Sequence, residues 1–471
     1  MSRFGFWKSA CAVILFGAVT AVVTPAQITQ LYEFDAGEGE ATEAGVIQGF
    51  DGYLYGTTDS EVFKLPPVQF AEDTILYFFC SQPNCGDGGN PFGGLIQGTD
   101  GNFYGTTTSG GNDGCDDGCG TVFAITPSGT FTSLHSFVGT DGSKPFAGLI
   151  QASDGTFYGT TYDGGANGGG TIFNITSTGT LTVLYSFCAQ AKCADGSNPR
   201  AALLQGTNSN LYGTTSTGGT SNVGTVFKFT SAGKLTTLHS FSGADGANPY
   251  AGLIQASNGK FYGTTYAGGA YGLGAIFRIT AAGKLTTLHS FVGTDGANPY
   301  GGLTQSIQGY FFGTTYGGGV TYKGTAAAGT IFEYFPSDGS VATEYGFCAF
   351  EDCADGAYPA AGLNEGTDGY LYGTTEGGGE GNGTVFGIGS GDRPFVETNP
   401  TSGTVEEAVT ILGNDLTGTT KVTFGSKAAT FTVVSDSEIS TTVPVGATTG
   451  KVHVTTSGGK LLTKVPFRVI P

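Results

Sequence analysis

Charge is scarce in this chain. Only 12% of its 471 residues are charged, about half the usual ~25%. Positive charge is scarcer still: Lys+Arg is 19 against Asp+Glu 38, a formal net charge of −19. A protein with so few cations cannot neutralise a phosphate backbone, which excludes nucleic acid as a partner. Histidine occurs four times, methionine once and tryptophan once. Proline is limited to 17 residues and no glycine triplet period exists, which excludes collagen. No segment has the 3.6-residue periodicity of a convincing helix. Only one apolar run approaches membrane length. Ala10 to Val23 follows Arg3 and Lys8 and precedes the small-residue stretch Thr24-Pro25-Ala26. That is the pattern of a cleaved export signal over residues 1–26, too short for a span. Its removal takes away two positive charges and leaves −19 − 2 = −21. No span is expected in the mature chain.

Glycine is abundant: 84 of 471 residues, about 18% against a usual ~7%. Aromatics reach 12%, too many for a disordered glycine-rich chain. Together these features predict an all-β protein of short strands and tight turns. Tyr-Gly-Thr-Thr begins at Tyr55, Tyr104, Tyr158, Tyr212, Tyr262 and Tyr372, and Phe312 opens a seventh copy. The intervals are 49, 54, 54, 50, 50 and 60 residues, near the period of propeller blades. Each period holds four strand signals: Gly-Leu-Ile-Gln-like, Tyr-Gly-Thr-Thr, Gly-Thr-Val-Phe-like and Leu-His-Ser-Phe-like. Asp-Gly or Asn-Gly separates the first two at 51–52, 100–101, 154–155, 258–259 and 368–369, a short-hairpin signal. The last period stops after its third strand, and Gln30-Leu31-Tyr32-Glu33-Phe34 matches the missing fourth. The expectation is a seven-bladed β-propeller over 27–391, closed by the N-terminal strand so that no radial edge is left open. From 392 to 471 the composition shifts toward Val and Thr, and alternating strands predict a small β-sandwich.

These motifs carry a resemblance. The Tyr-Gly-Thr-Thr, Gly-Gly, Gly-Thr-Val-Phe and Leu-His-Ser-Phe repeat resembles the bacterial GloVer tandem-repeat family, often described as choice-of-anchor proteins. The tail resembles an IPT/TIG domain, an immunoglobulin-like sandwich. Its matching stretches are Asn399-Pro400-Thr401-Ser402-Gly403, Val409-Thr410-Ile411-Leu412-Gly413, Val422-Thr423-Phe424-Gly425 and Val443-Pro444. The resemblance implies an exported, surface-associated protein and brings no catalytic residues. Phe467–Pro471 ends the sandwich without a sorting tail, which favours free secretion over covalent anchoring.

Eight cysteines remain after export and fall as local pairs: Cys80/Cys85, Cys115/Cys119, Cys188/Cys193 and Cys348/Cys353. In an oxidising compartment these read as disulfides that stiffen single loops. A four-thiolate zinc site from the first two pairs is the alternative. If the fourth strand is outermost, the fourth-to-first and second-to-third loops share one face, and all four pairs lie on it. The fourth-to-first loops repeat an aspartate (Asp87, Asp141, Asp195, Asp245, Asp295, Asp355), read first as turn chemistry. The residue after each loop proline is Phe92, Phe146, Arg200, Tyr250, Tyr300 or Ala360, expected at the mouth of the central channel. Aromatic faces there could stack on sugar rings, with Arg200 as a donor. His135, His239 and His289 share one repeat position with Tyr32, Tyr77, Tyr185 and Tyr345, which argues for a structural flat ring rather than a proton shuttle. Asp113, Asp116 and Asp117, in a cysteine-framed loop, could offer hard oxygen ligands to Ca²⁺. No other cofactor is expected. Glu365 is read as standing where other blades carry Gly or Ala, near the end of an inner strand, and joins the candidate ligand-binding set at the channel mouth. The leading expectation is a secreted, monomeric, non-enzymatic module that binds an extracellular glycan or surface protein. The alternatives are a polysaccharide-degrading lyase or glycosidase with acids such as Glu365 at the channel, and a purely structural surface or matrix protein.

Overall fold

A computed structural model describes residues 28–34, 44–111, 115, 117–321, 323–379 and 381–470. The expected export signal at 1–26 lies outside them. Between 29 and 389 the described residues form seven four-stranded antiparallel sheets. Ile150–Gln151, Phe157–Thr161, Thr171–Ile175 and Leu181–Ser186 make a representative one, paired in chain order. Residues in or just before the first strands of sheets one, two, six and seven line a common axial space. The sheets therefore radiate from an axis in a propeller-like arrangement. Among the described residues no individual sheet closes on itself.

The repeated residues have physical causes. The glycine of Tyr-Gly-Thr-Thr lies under the phenylalanine of Gly-Thr-Val-Phe. A Cβ at Gly159 would come within 2.5 Å of the Phe173 ring, and one at Gly213 equally close to Phe227. Deleting the Cβ lets a large ring fill the sheet's centre, and these phenylalanines are fully buried. The tyrosine hydroxyl closes the preceding turn, as in Tyr55 to Asp51 at 2.6 Å and Tyr104 to Asp100 at 2.7 Å. The first threonine reaches the next sheet. Thr57 donates to Pro91 O, Thr106 to Pro145 O, Thr160 to Ala201 O, Thr214 to Ala251 O, Thr264 to Gly301 O and Thr314 to Ala361 O. Thr374 of the last sheet donates to Ala44 O of the first, at 3.0 Å.

The second threonine pairs with the threonine opening the third strand, as in Thr161 with Thr171 and Thr215 with Thr225. In the fifth sheet that partner is Ala275, and the buried Thr265 Oγ1 has no hydrogen bond.

Thr29–Glu33 pairs antiparallel with Thr384–Gly389 and supplies the fourth strand of the seventh sheet, as the sequence predicts. Leu31 and Phe34 are buried there with Val46, Leu54 and Phe63 of the first sheet. The C-terminal domain packs Glu397–Asn399, Ala408–Leu412, Glu438–Thr442 and Phe431–Val433 against Lys427–Ala429, Lys421–Phe424, Val452–Thr456 and Gly459–Leu462. Val409, Ile411, Val422, Phe424, Ile439 and Val454 fill its core. The only helical pieces among the described residues are three one-turn 3-10 segments at Pro83–Cys85, Ala191–Cys193 and Glu351–Cys353.

Candidate functional site

The four expected disulfides are present: Cys80–Cys85, Cys115–Cys119, Cys188–Cys193 and Cys348–Cys353. The fourth-to-first and second-to-third loops do meet on one face, joined by bridges such as Ser143↔Asp163, Ser197↔Thr217 and Ala297↔Gly317. The repeated aspartates are consumed inside their own loops. His135 meets Asp141 at 2.8 Å, His239 meets Asp245 at 2.8 Å and His289 meets Asp295 at 2.7 Å. Tyr77, Tyr185 and Tyr345 donate to Asp87, Asp195 and Asp355 at 2.7–2.8 Å. Backbone N–H groups bond the same carboxylates, for example Val138 to Asp141 and Ala189 to Asp195. Burial pushes Asp87, Asp141 and Asp295 up, but the bonds from the ring and the backbone outweigh it and hold them below the usual carboxylate range.

The choice of His or Tyr follows loop length. Histidine serves loops in which the aspartate lies six residues on, and tyrosine serves disulfide loops in which it lies ten residues on. The position thus needs a hydrogen-bond donor at the tip of a flat ring. A flat ring alone does not satisfy it, which refines the sequence reading. Asp113 and Asp116 lie outside the described residues. The backbone carbonyl of Asp117 accepts from Gly110 N at 2.8 Å. No group of three metal-ligating side chains occurs among the described residues.

The residues after the loop prolines do converge. The Arg200 guanidinium lies 4.7 Å from the Phe146 ring centre, 5.0 Å from Tyr250 and 5.2 Å from Tyr300. Phe92 meets Phe146 at 5.6 Å, and Tyr250 meets Tyr300 at 5.2 Å. All five are half-buried. A second tier comes from the residue after each Tyr-Gly-Thr-Thr, a position the sequence reading did not single out. Its backbone N–H donates to the residue before the loop proline, as in Tyr266 to Asn248 O and Tyr316 to Asn298 O, both 3.1 Å. This places Tyr162 against Phe146 at 5.2 Å and Tyr266 against Tyr250 at 4.8 Å. Tyr316 stacks on the exposed Tyr358 at 5.3 Å. Burial and the neighbouring Glu376 carboxylate push the Tyr316 hydroxyl up to about 12. The available signal was an aromatic at one fixed offset in three of the repeats.

Glu365 does not belong to this group. The register pairs Glu365 with Leu371 as Gln97 pairs with Phe103, so it occupies the glutamine position of the repeat, not the Gly/Ala position. In the other sheets that glutamine side chain accepts a backbone N–H of the preceding sheet: Phe50 to Gln97, Thr99 to Gln151, Ser153 to Gln205, Thr207 to Gln255, Ser257 to Gln305 and Thr367 to Gln48. At Glu365 the link is rerouted, and Ile307 N donates to Asp392 Oδ2 at 2.6 Å. A buried carboxylate has instead recruited a cation from the C-terminal domain: Lys464 Nζ lies 2.8 Å from Glu365 Oε2, and Ser390 Oγ donates to Oε1 at 3.3 Å. Burial pushes Glu365 up to about 7, opposed by Lys464. The same end of the sheets receives Ser437 on Phe50 O, Asn399 on Gln97 O and Arg468 on Thr207 O. The C-terminal domain therefore caps the end of the axial space away from the disulfide loops.

Residues 19–201, 59–256 and 188–386 match the Gloeobacter/Verrucomicrobia repeat, and residues 395–469 match the IPT/TIG domain. No curated protein matches the chain. Among solved structures it is similar to a streptogramin B lyase, with a TM-score of 0.52 at 17% identity over 77% of this chain and 97% of that one. It is also similar to the extracellular domain of a hybrid two-component system from B. thetaiotaomicron, with a TM-score of 0.52 at 11% identity over 95% of this chain and 58% of that one. At these identities the likeness concerns the fold alone.

Proposed function

We propose that this chain, which belongs to the Gloeobacter/Verrucomicrobia repeat family and ends in an IPT/TIG domain, is a secreted seven-bladed propeller over 27–391 with an Ig-like cap at 392–471. It binds an extracellular glycan through its disulfide-bearing face, without catalysis and as a monomer. The circuit of inter-sheet bonds, returning from Thr374 to Ala44, supports seven blades closed by the N-terminal strand. The disulfides and the similarity to an extracellular domain support the extracellular address.

The observation that carries the binding reading is the group of half-buried rings around Arg200, extended by Tyr162, Tyr266, Tyr316 and Tyr358. Rings held by a scaffold lose little side-chain entropy on stacking against a sugar face, and the tyrosine hydroxyls add polar contacts at the rim. A channel glycosidase or lyase built on Glu365 is disfavoured, because that carboxylate is committed to Lys464 under the cap.

The test is electrophoresis of the full chain through native gels cast with a panel of polysaccharides. Retardation without clearing is expected, and Tyr250→Ala with Tyr300→Ala should restore mobility. A cleared zone would make the protein an enzyme. Unchanged mobility across the panel would leave the ring group as a packing device of a structural protein.

A further inference from the structure

The repeat is broken at one place on the disulfide-bearing face, where the sixth and seventh sheets meet. Three positions change there together. The residue before the loop proline is Asn90, Asn198, Asn248 or Asn298 in four other loops and Tyr358 here. The residue after that proline, a ring or Arg200 in the loops before it, is Ala360. The residue after Tyr-Gly-Thr-Thr, Tyr266 and Tyr316 in the two preceding sheets, is Glu376.

Asparagine serves the backbone at this position. The four asparagines have φ of 52–57°, the left-handed region that asparagine tolerates. Asn198, Asn248 and Asn298 also donate from Nδ2 to the backbone O of Tyr162, Ser216 and Tyr266 at 3.0–3.1 Å. Tyr358 keeps the same backbone, with φ 59°, where a bulky residue is strained. It has no side-chain amide to make the bond. Lys144 is the other exception, and its ammonium lies 3.6 Å from Asp163. The strain at Tyr358 is not repaid by full burial, because the residue is 46% exposed. Its ring stacks on Tyr316 at 5.3 Å. Gly377, bridged to Ala357, has no side chain to cover the ring; a Cβ there would lie 3.3 Å from it. Glu376 N donates to Tyr358 O at 3.2 Å, and the Glu376 carboxylate accepts the Tyr316 hydroxyl. An exposed aromatic ring and a half-buried carboxylate therefore lie side by side. Tyr316 joins them to the Arg200 group through Tyr300, at 6.2 Å.

We infer that Tyr358 and Glu376 form the anchoring subsite for one uncharged sugar ring, Tyr358 stacking on its C–H face and Glu376 accepting its hydroxyls. The inference rests on the glycan reading of this face. Stacking needs a pyranose whose stacked face carries no axial hydroxyl, as in β-linked glucose or xylose units. A carboxylate accepts about four hydrogen bonds, so Glu376 can hold Tyr316 and a sugar hydroxyl together. A uronate or sulfated sugar would meet that carboxylate on a chain of net charge −19 and be repelled.

Affinity electrophoresis of the full chain in native gels containing barley β-glucan, wheat arabinoxylan or polygalacturonate tests the inference. At least one of the two neutral polymers should retard the protein, and polygalacturonate about tenfold more weakly or not at all. Tyr358→Asn installs the residue that four other loops carry on this backbone. It should melt at an equal or higher temperature, yet raise the dissociation constant by about tenfold or more. Tyr358→Trp keeps a flat ring and should stay within about threefold of wild type. Glu376→Gln keeps the shape and removes the charge, and should weaken binding about threefold. Unchanged affinity in Tyr358→Asn, or equal retardation by polygalacturonate, would overturn the inference while the glycan reading stands. Retardation by neither neutral polymer would also overturn it, and the glycan reading would then depend on the wider polysaccharide panel.

Discussion

Replacing Glu365 by glutamine restores the residue that the other six sheets carry at this position. The structure fixes the sign and size of the effect. The Glu365 side chain is fully covered, and burial raises its carboxyl from 4.5 to about 7. At ~1.36 kcal/mol per pH unit, ionising it in the folded protein costs about 3 kcal/mol relative to the unfolded chain. Because the folded pKa is the higher one, the folded state binds the extra proton between pH 4.5 and 7. Stability therefore falls as pH rises through that window. Glutamine carries no ionisation cost. Removing the carboxylate takes the ion-pair partner from Lys464, but that side chain is 18% exposed and can turn to water, at about 1 kcal/mol. Glu365→Gln should therefore be more stable than wild type by about 2 kcal/mol at pH 8 and no more stable at pH 4.5. Urea unfolding of both proteins across pH 4.5–8 measures this, and the difference between them isolates Glu365 from other groups. A variant that is destabilised at pH 8, or a difference that does not change with pH, would refute the reasoning. It would mean that the Lys464 pair outweighs the burial cost.

Other outcomes follow from the same geometry. Ala275→Thr should give the buried Thr265 hydroxyl the partner it has in other sheets and raise stability by about 1 kcal/mol in urea unfolding. His289→Phe keeps the ring but removes the donor to Asp295, and should cost about 1–3 kcal/mol by the same measurement. Glu344→Leu installs the residue found before the ring position in sheets one to five, as at Leu184 before Tyr185. Burial and the neighbouring Glu344 carboxyl push Glu333 up to about 7. Removing the neighbour should stabilise by about 1–2 kcal/mol above pH 7, with the gain vanishing below pH 4.5.

Much of the architecture was legible because the repeat states each physical requirement seven times. A glycine recurs under every central phenylalanine, a turn residue opens every hairpin, and the fourth strand missing at one end is present at the other. Disulfide pairing was legible because each pair is separated by only four or five positions. The aromatic set at 92, 146, 250 and 300 was legible because its offset from the loop proline is fixed, whereas Tyr162, Tyr266 and Tyr316 alternate with Thr108, Ser216 and Glu376 at their position.

The sequence by itself thus determined the strands, turns, loop cross-links and family, all of which are properties of neighbours along the chain. Only the tertiary structure decided what residues distant in sequence do to one another. Arg200 gathers rings from three other repeats because all loops of one face converge on an axis. Glu365 changes from a candidate acid to a buried partner of Lys464, 99 residues away, because the cap settles on the opposite end. No local pattern records such contacts, since they depend on where surfaces distant along the chain meet.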